Sequence, residues 1–429
     1  MKTLNRRSFL GYSALAGAAF VEACASREVP QTISPTQRGP ERFSPKGPNY
    51  EIRLFASSSA CNDAAALERA IARLQQAGFA VTNTAAAFRR FSRFAGSDQE
   101  RVEDFQAVVE SRVPVPKIFL AVRGGYGAMR LLPHIDWPRL AAKMRETGSF
   151  LVGYSDVSAL QLALMAKGNM GSFAGPMAYS DLGKLQPSYY TMYSFINAIS
   201  HGRLNINVPT AFADREVEGI FWGGNLSVLS ALVGTPYMPN VKGGILFIEE
   251  VGEQPYRIER MLETLYLARI LQKQKAIVFG NFNMQGVDAD SYDDSYGLGT
   301  AIANVARLTH LPVFTQFPFG HAADKVTMPL GYPARIVPNN RGYRVEFFSY
   351  PHIDARSLNL QMLLPESQPF FQEPKPQMSS DSTPSVKESP TPKLQPASQG
   401  SQTLSEPKDD RHYHPRPQSQ GAGTNKEPV

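Results

Sequence analysis

Ser149-Phe150-Leu151-Val152-Gly153-Tyr154-Ser155-Asp156-Val157-Ser158-Ala159-Leu160 reads as a strand, a sharp corner and the start of a helix. The apolar run ends at Gly153, and the helical pattern begins at Asp156. A strand that is apolar on both faces suits a parallel sheet covered on both sides. The corner places the Ser155 hydroxyl at the sheet edge, beside the N–H groups of the helix start. Two readings stand here. Serine commonly caps helices, and a serine on such a corner can also be a nucleophile.

The segments around this corner repeat its rhythm. Tyr50 to Phe55 reads as a strand, Asp63 to Ala77 as an amphipathic helix and Phe79-Ala80-Val81 as a second strand. Ser97-Asp98-Gln99-Glu100 is a capping box opening a helix to about Glu110. Ile118 to Val122 is another all-apolar strand, and Trp137 to Glu146 another helix. This alternation predicts an α/β fold, with a Rossmann-like N-terminal domain over residues 48–178. The rhythm fades over 179–215, which is expected to connect two domains. From Val217 the pattern resumes with more β character, so 216–365 is expected to form a smaller, mixed, β-rich C-terminal domain. Its expected elements include strands at Gly244–Ile248 and Lys275–Phe279 and a helix at Pro255–Leu271. Asn339-Asn340-Arg341 marks a hairpin between Tyr332–Pro338 and Gly342–Phe348.

The two ends of the chain differ from this body. Asn5-Arg6-Arg7-Ser8-Phe9-Leu10 precedes a short apolar run, the pattern of a twin-arginine export signal over 1–23. That run is too short and too rich in Ala and Gly to span a membrane. Val21-Glu22-Ala23-Cys24 resembles a lipobox, which makes Cys24 a candidate for lipidation and membrane attachment, although Glu22 is unusual there. Residues 24–47 read as a linker. Residues 366–429 hold a third of the 33 prolines, with much Ser and Gln, and read as a disordered tail. His412 and His414 in that tail are poor catalytic candidates. With two cysteines, Cys24 and Cys61, there is no Cys-rich metal site or disulfide framework. The net charge of +6 is not gathered into a long basic run, so no nucleic-acid footprint is read.

Three sites fall at strand ends, where open α/β sheets place ligands. Ser155 is the first. Arg123-Gly124-Gly125-Tyr126-Gly127 is the second. It lacks both G-x-G-x-x-G and a Lys-Ser/Thr ending, so it is no phosphate loop. It reads either as a tight turn or as backbone donors for an oxyanion. Glu249, in Phe247-Ile248-Glu249-Glu250, is the third. It reads either as part of an exposed acidic loop or as a carboxylate that orients a histidine. Among the histidines of the body, His321 stands out. It follows Phe317-Pro318-Phe319-Gly320 on a loop between two sheet segments.

Taken in order, these runs resemble the serine LD-carboxypeptidase family, which also contains the microcin C self-immunity peptidases. The resemblance rests on Arg123–Gly127, Gly153-Tyr154-Ser155-Asp156, Gly223-Gly224-Asn225-Leu226, Leu246–Glu250 with Pro255–Leu262, and Gly320-His321 with Thr327–Gly331. It implies Ser155 as nucleophile, His321 as general base and Glu249 as the residue orienting it. It implies an oxyanion hole from the N–H groups of Gly125 and Asp156, with Gly124 at the substrate, no metal or other cofactor, and a homodimer. The implied partner is a peptidoglycan tetrapeptide fragment, cut between the L-centre of meso-diaminopimelate and the terminal D-Ala. The terminal carboxylate calls for a basic residue, with Arg257, Arg260 and Lys325 as candidates. Crosslinked muropeptides and peptide or aminoacyl-adenylate conjugates are the alternative substrates, and a non-catalytic wall-binding lipoprotein is the reading from another class. Many relatives are cytosolic, whereas the leader here predicts a periplasmic enzyme.

Overall fold

The computed structural model describes residues 50–210, 215–287, 290 and 292–365. The leader, Cys24, the linker and the C-terminal tail lie outside these residues. The first sheet is built from β1 (Glu51–Phe55), α1 (Ala64–Gln76), β2 (Ala80–Thr82), α2 (Asp98–Val109), β3 (Ile118–Ala121), α3 (Trp137–Thr147), β4 (Phe150–Gly153), α4 (Ser158–Gly168) and β5 (Ser172–Ala174). Its five strands are parallel in the order 2-1-3-4-5. All four residues of β3 and all of β4 are buried, as two helical layers require. Asp63 caps α1, and Ser97 and Glu100 close the expected capping box on α2.

The chain continues through α5 (Tyr189–Ser200), β6 (Arg203–Pro209), β7 (Val217–Asn225), α6 (Leu226–Ala231), β8 (Ile245–Val251), α7 (Pro255–Leu267), β9 (Ala276–Asn283), α8 (Leu298–Thr309), β10 (Val313–Phe314), β11 (Met328–Leu330), β12 (Tyr332–Asn339) and β13 (Gly342–Phe348). The second sheet runs β10-β9-β8-β7-β12-β13-β6. It is parallel from β10 to β7 and antiparallel beyond. The hairpin expected at Asn339–Arg341 joins β12 to β13.

The structure departs from the sequence reading at three points. The span 179–215, expected as a connection, carries α5 and the edge strand β6. Leu204, Ile206 and Val208 of β6 alternate with polar residues, and Ile206 and Val208 are buried on one face. The expected C-terminal domain, 216–365, does not keep to itself. Its β11 pairs antiparallel with β5 and closes the edge of the first sheet. Pro329 is tolerated there because an edge strand can forgo one donor. Gly331, at φ +82°, then turns the chain into β12, where a Cβ would meet the Gly171 Cα at 2.8 Å. The helix expected to reach Leu271 ends at Leu267, and Arg269 takes a left-handed conformation. The chain therefore passes between the sheets just after His321, and this places the site.

Candidate active site

Ser155 is held on a strained corner. Its φ is +65°, in the left-handed region, where a non-glycine residue costs about 1–3 kcal/mol. Two residues earlier, a Cβ on Gly153 would lie 2.8 Å from both Ala121 Cβ and Val157 Cγ1, so the approach to the corner needs glycine. No side chain caps the turn 155–157 or α4. The hydroxyl is used elsewhere, as His321 Nε2 lies 2.9 Å from Ser155 Oγ.

β8 supplies the carboxylates. Its register with β9 shifts between Ile248 and Glu250, where β9 carries one extra residue. Glu249 and Glu250 are 1% and 3% exposed, so the exposed acidic loop is not what forms. Asn225 Nδ2, at the end of β7, donates to Glu249 Oε1 at 3.2 Å and to Glu250 Oε1 at 3.0 Å. Glu250 also accepts the amides of Ser227 and Val251 at 2.7 and 2.9 Å. Burial pushes the Glu250 carboxyl up, these donors pull it down and the Glu249 charge adds to the rise.

Glu249 Oε2 lies 2.7 Å from His321 Nδ1. The loop bearing His321 needs Gly320 at φ +153°, where a Cβ would come 2.6 Å from the Asn281 carbonyl oxygen. Asn283 Nδ2 donates to the His321 carbonyl at 3.0 Å. Burial pushes the imidazole down, yet the Glu249 hydrogen bond and the charges of Glu249 and Glu250 outweigh it. The net direction is up from 6.5, against a smaller opposing effect of Lys325. An imidazole that accepts from a hydroxyl through Nε2 and donates through Nδ1 to a carboxylate can take the hydroxyl proton.

The glycine loop closes the site. A Cβ on Gly124 would lie 2.8 Å from Ser155 Cβ and 2.9 Å from its Oγ. Gly125, at φ +111°, packs so closely on Ser59 that its Cβ would lie 2.3 Å from Ser59 Oγ. That hydroxyl accepts the Tyr126 amide at 3.2 Å. The Asp156 carboxylate accepts the Ala128 amide at 2.8 Å and so binds the Ser155 corner to the far end of this loop. Burial raises the Asp156 carboxyl, with Ala128 and Ser58 as opposing donors. Gly124→Ala is expected to lower kcat/KM about 10–100-fold by displacing Ser155, with little change in melting temperature. Steady-state kinetics beside a thermal melt check this.

Comparison with known proteins identifies the family. Residues 52–175 match the LD-carboxypeptidase N-terminal domain, and residues 218–336 match the LD-carboxypeptidase C-terminal domain. The chain belongs to the LD-carboxypeptidase family. The murein tetrapeptide carboxypeptidase of Pseudomonas aeruginosa is 29% identical over 59% of this chain and 81% of its own. The microcin C7 self-immunity protein of Escherichia coli is 25% identical over 65% and 87%. The crystal structure of muramoyltetrapeptide carboxypeptidase from Oxalobacter formigenes superposes with a TM-score of 0.64. It is 36% identical and covers 70% of this chain and 99% of its own.

This LD-carboxypeptidase family member thus brings Ser155, Glu249 and His321 together, with Gly124, Gly125 and Asp156 beside them. The three basic candidates differ in their surroundings. Arg257 and Arg260 are exposed on α7, near the Tyr256 ring, and Arg257 pairs with Glu253 at 3.6 Å. Lys325 is buried and paired with Asp181 at 2.6 Å. Its ammonium is committed to Asp181 and lies 5.2 Å from the centroid of the Tyr154 ring. Sequence reading did not single out Asn225, Glu250, Ser59 or Asp181. The consecutive glutamates at the end of one apolar strand and the run Gly223-Gly224-Asn225 at the end of another are the available signals for the first two. Among the described residues no group of three or more His, Cys, Asp or Glu is placed to hold a metal ion.

Proposed function

We propose that the protein is a serine-type LD-carboxypeptidase that releases the terminal D-Ala from peptidoglycan tetrapeptide stems. The observation that carries this reading is the hydrogen-bonded series Ser155–His321–Glu249. Ser155 Oγ attacks the carbonyl carbon between the L-centre of meso-diaminopimelate and D-Ala, while His321 Nε2 takes the hydroxyl proton. Glu249 keeps the Nδ1 proton facing itself and stabilises the imidazolium. The N–H groups of Gly125 and Asp156 hold the oxyanion; the Tyr126 amide is already engaged by Ser59. His321 returns the proton to the D-Ala amine as it leaves, and water then releases the acyl group by the same route. With Lys325 committed to Asp181, Arg257 and Arg260 remain as the candidates for the D-Ala carboxylate.

The twin-arginine leader supports placing this activity in the periplasm, with Cys24 as a lipid anchor, and the family resemblance supports a homodimer. Purified protein incubated with a tetrapeptide muropeptide is expected to remove one alanine by mass. A stem ending in L-Ala is expected to stay intact. Turnover of an aminoacyl-adenylate analogue with no turnover of the tetrapeptide would overturn the substrate assignment. Cell fractionation with palmitate labelling of wild type and Cys24→Ser tests the location and the anchor, and sedimentation tests the dimer.

A further inference from the structure

The loop that carries His321 is stitched to distant parts of the chain. From α5, Thr191 Oγ1 donates to the Ala323 carbonyl at 3.1 Å and accepts the Lys325 amide at 3.0 Å. Ser194 Oγ accepts the Thr327 amide at 2.8 Å, and Ser188 donates to Asp324. One further contact differs in kind. Lys325 Nζ and Asp181 Oδ1 form an ion pair with side chains 1% and 3% exposed. Asp181 belongs to the turn Ala178–Leu182 that follows β5, and its other oxygen accepts the Met177 amide at 2.9 Å.

This pair lies against the reacting groups. Lys325 Nζ sits 5.2 Å from the centroid of the Tyr154 ring, and that ring packs on His321 with centroids 5.2 Å apart. Tyr154 is bonded to Ser155, and only three residues separate His321 from Lys325. A buried ion pair adds little net stability, because desolvation offsets its attraction, and its best-attested use is to fix register. Here it joins the segment after β5 to the loop before β11.

We infer that Asp181 and Lys325 form a positioning pair that registers the His321 loop against the corner carrying Ser155; this rests on the reading of His321 as the base for Ser155. The pair sets the 2.9 Å approach of Nε2 to Oγ from outside the triad. The charged and titratable groups around His321 are Glu249 and Glu250 from β8, Tyr154 from the corner after β4, and Lys325 on its own loop, with Asp181 behind Lys325. Lys325 is the cation in this set and opposes protonation of the imidazole.

The test compares the full chain with Lys325→Met, Asp181→Asn and the double variant Lys325→Met/Asp181→Asn. The double variant removes both charges, so it leaves no unpaired ion, and it keeps a side-chain oxygen to accept the Met177 amide. Melting temperature, kcat and KM for D-Ala release, and the rate of Ser155 labelling by a fluorophosphonate are measured for each. The double variant is expected to melt within about 5 °C of the parent. Its kcat is expected to fall about 10–100-fold, with KM within about threefold and labelling slowed in proportion. In Lys325→Met, the acid limb of kcat/KM moves to higher pH, because the opposing cation is gone while both glutamates remain. A double variant with parental kcat and labelling overturns the inference. So does a raised KM at parental kcat, which would make Lys325 a substrate-carboxylate ligand. If the parent protein itself resists labelling at Ser155 and releases no D-Ala, the serine-peptidase reading fails first and takes this inference with it.

Discussion

Ser155→Ala is expected to lower kcat for D-Ala release by about 10⁴–10⁶-fold, the scale seen when a serine nucleophile is removed from a triad. The substitution deletes one oxygen and leaves His321 without a hydroxyl to deprotonate. KM is expected to change little, because the groups that hold the stem peptide remain. Any residual rate would come from binding and the oxyanion donors, which can work on an attacking water. Stability should hardly move. Alanine meets the same φ of +65° as serine, and the lost hydrogen bond to His321 is worth about 1 kcal/mol. Kinetics and a thermal melt on one preparation separate these effects. Activity within tenfold of the parent would remove Ser155 from the chemistry and return it to a structural corner.

That corner was the most legible part of the sequence. Apolar runs such as Ile118–Ala121 and Phe150–Gly153 can be covered on both faces only in a layered α/β fold, and they form adjacent parallel strands. The meeting of Ser155, Glu249 and His321 was readable because three residue types stood at strand ends or on a constrained loop in one recognisable order. Periodicity does not reveal where a strand goes. Met328-Pro329-Leu330 is short, contains proline and lies between C-terminal segments in sequence, yet it pairs with β5 in the first sheet. Leu204 to Val208 carries a period-two pattern, but only three apolar positions set among Asn and Arg marked it as a strand. The register shift between β8 and β9, with its extra residue on β9, had no local signal either. Nor does local sequence show that Asn225, paired with Glu249 across β7 and β8, donates to both carboxylates. Lys325 shows the limit for charges. A lysine near a catalytic histidine suits an anionic substrate, and only the position of Asp181, over 140 residues earlier, shows that the charge is already used.

Glu249→Gln is expected to lower kcat by about 10⁴-fold, because it disturbs which nitrogen of His321 carries the proton. The carboxylate accepts from Nδ1–H at 2.7 Å, leaving Nε2 free to accept the Ser155 proton. A glutamine amide can instead donate to Nδ1, which moves the imidazole proton to Nε2 and turns the base away from its task. The acid limb gives a second readout. Burial pushes His321 down, and the hydrogen bond and charge of Glu249, with the charge of Glu250, carry it above 6.5. The base works as the neutral imidazole, so kcat/KM in the parent should rise with pH through a value above 6.5. Without Glu249, burial and Lys325 act against Glu250 alone, and the limb shifts to lower pH. Stability follows the same linkage. The folded parent holds the His321 proton more tightly than the unfolded chain does. That contribution is fully present below pH 6.5 and is lost as pH rises through the folded-state value. The melting-temperature difference between parent and Glu249→Gln should therefore be larger on the acid side of this window than on the alkaline side. A variant that keeps the parental acid limb and the parental kcat would show that the 2.7 Å contact does not tune the base.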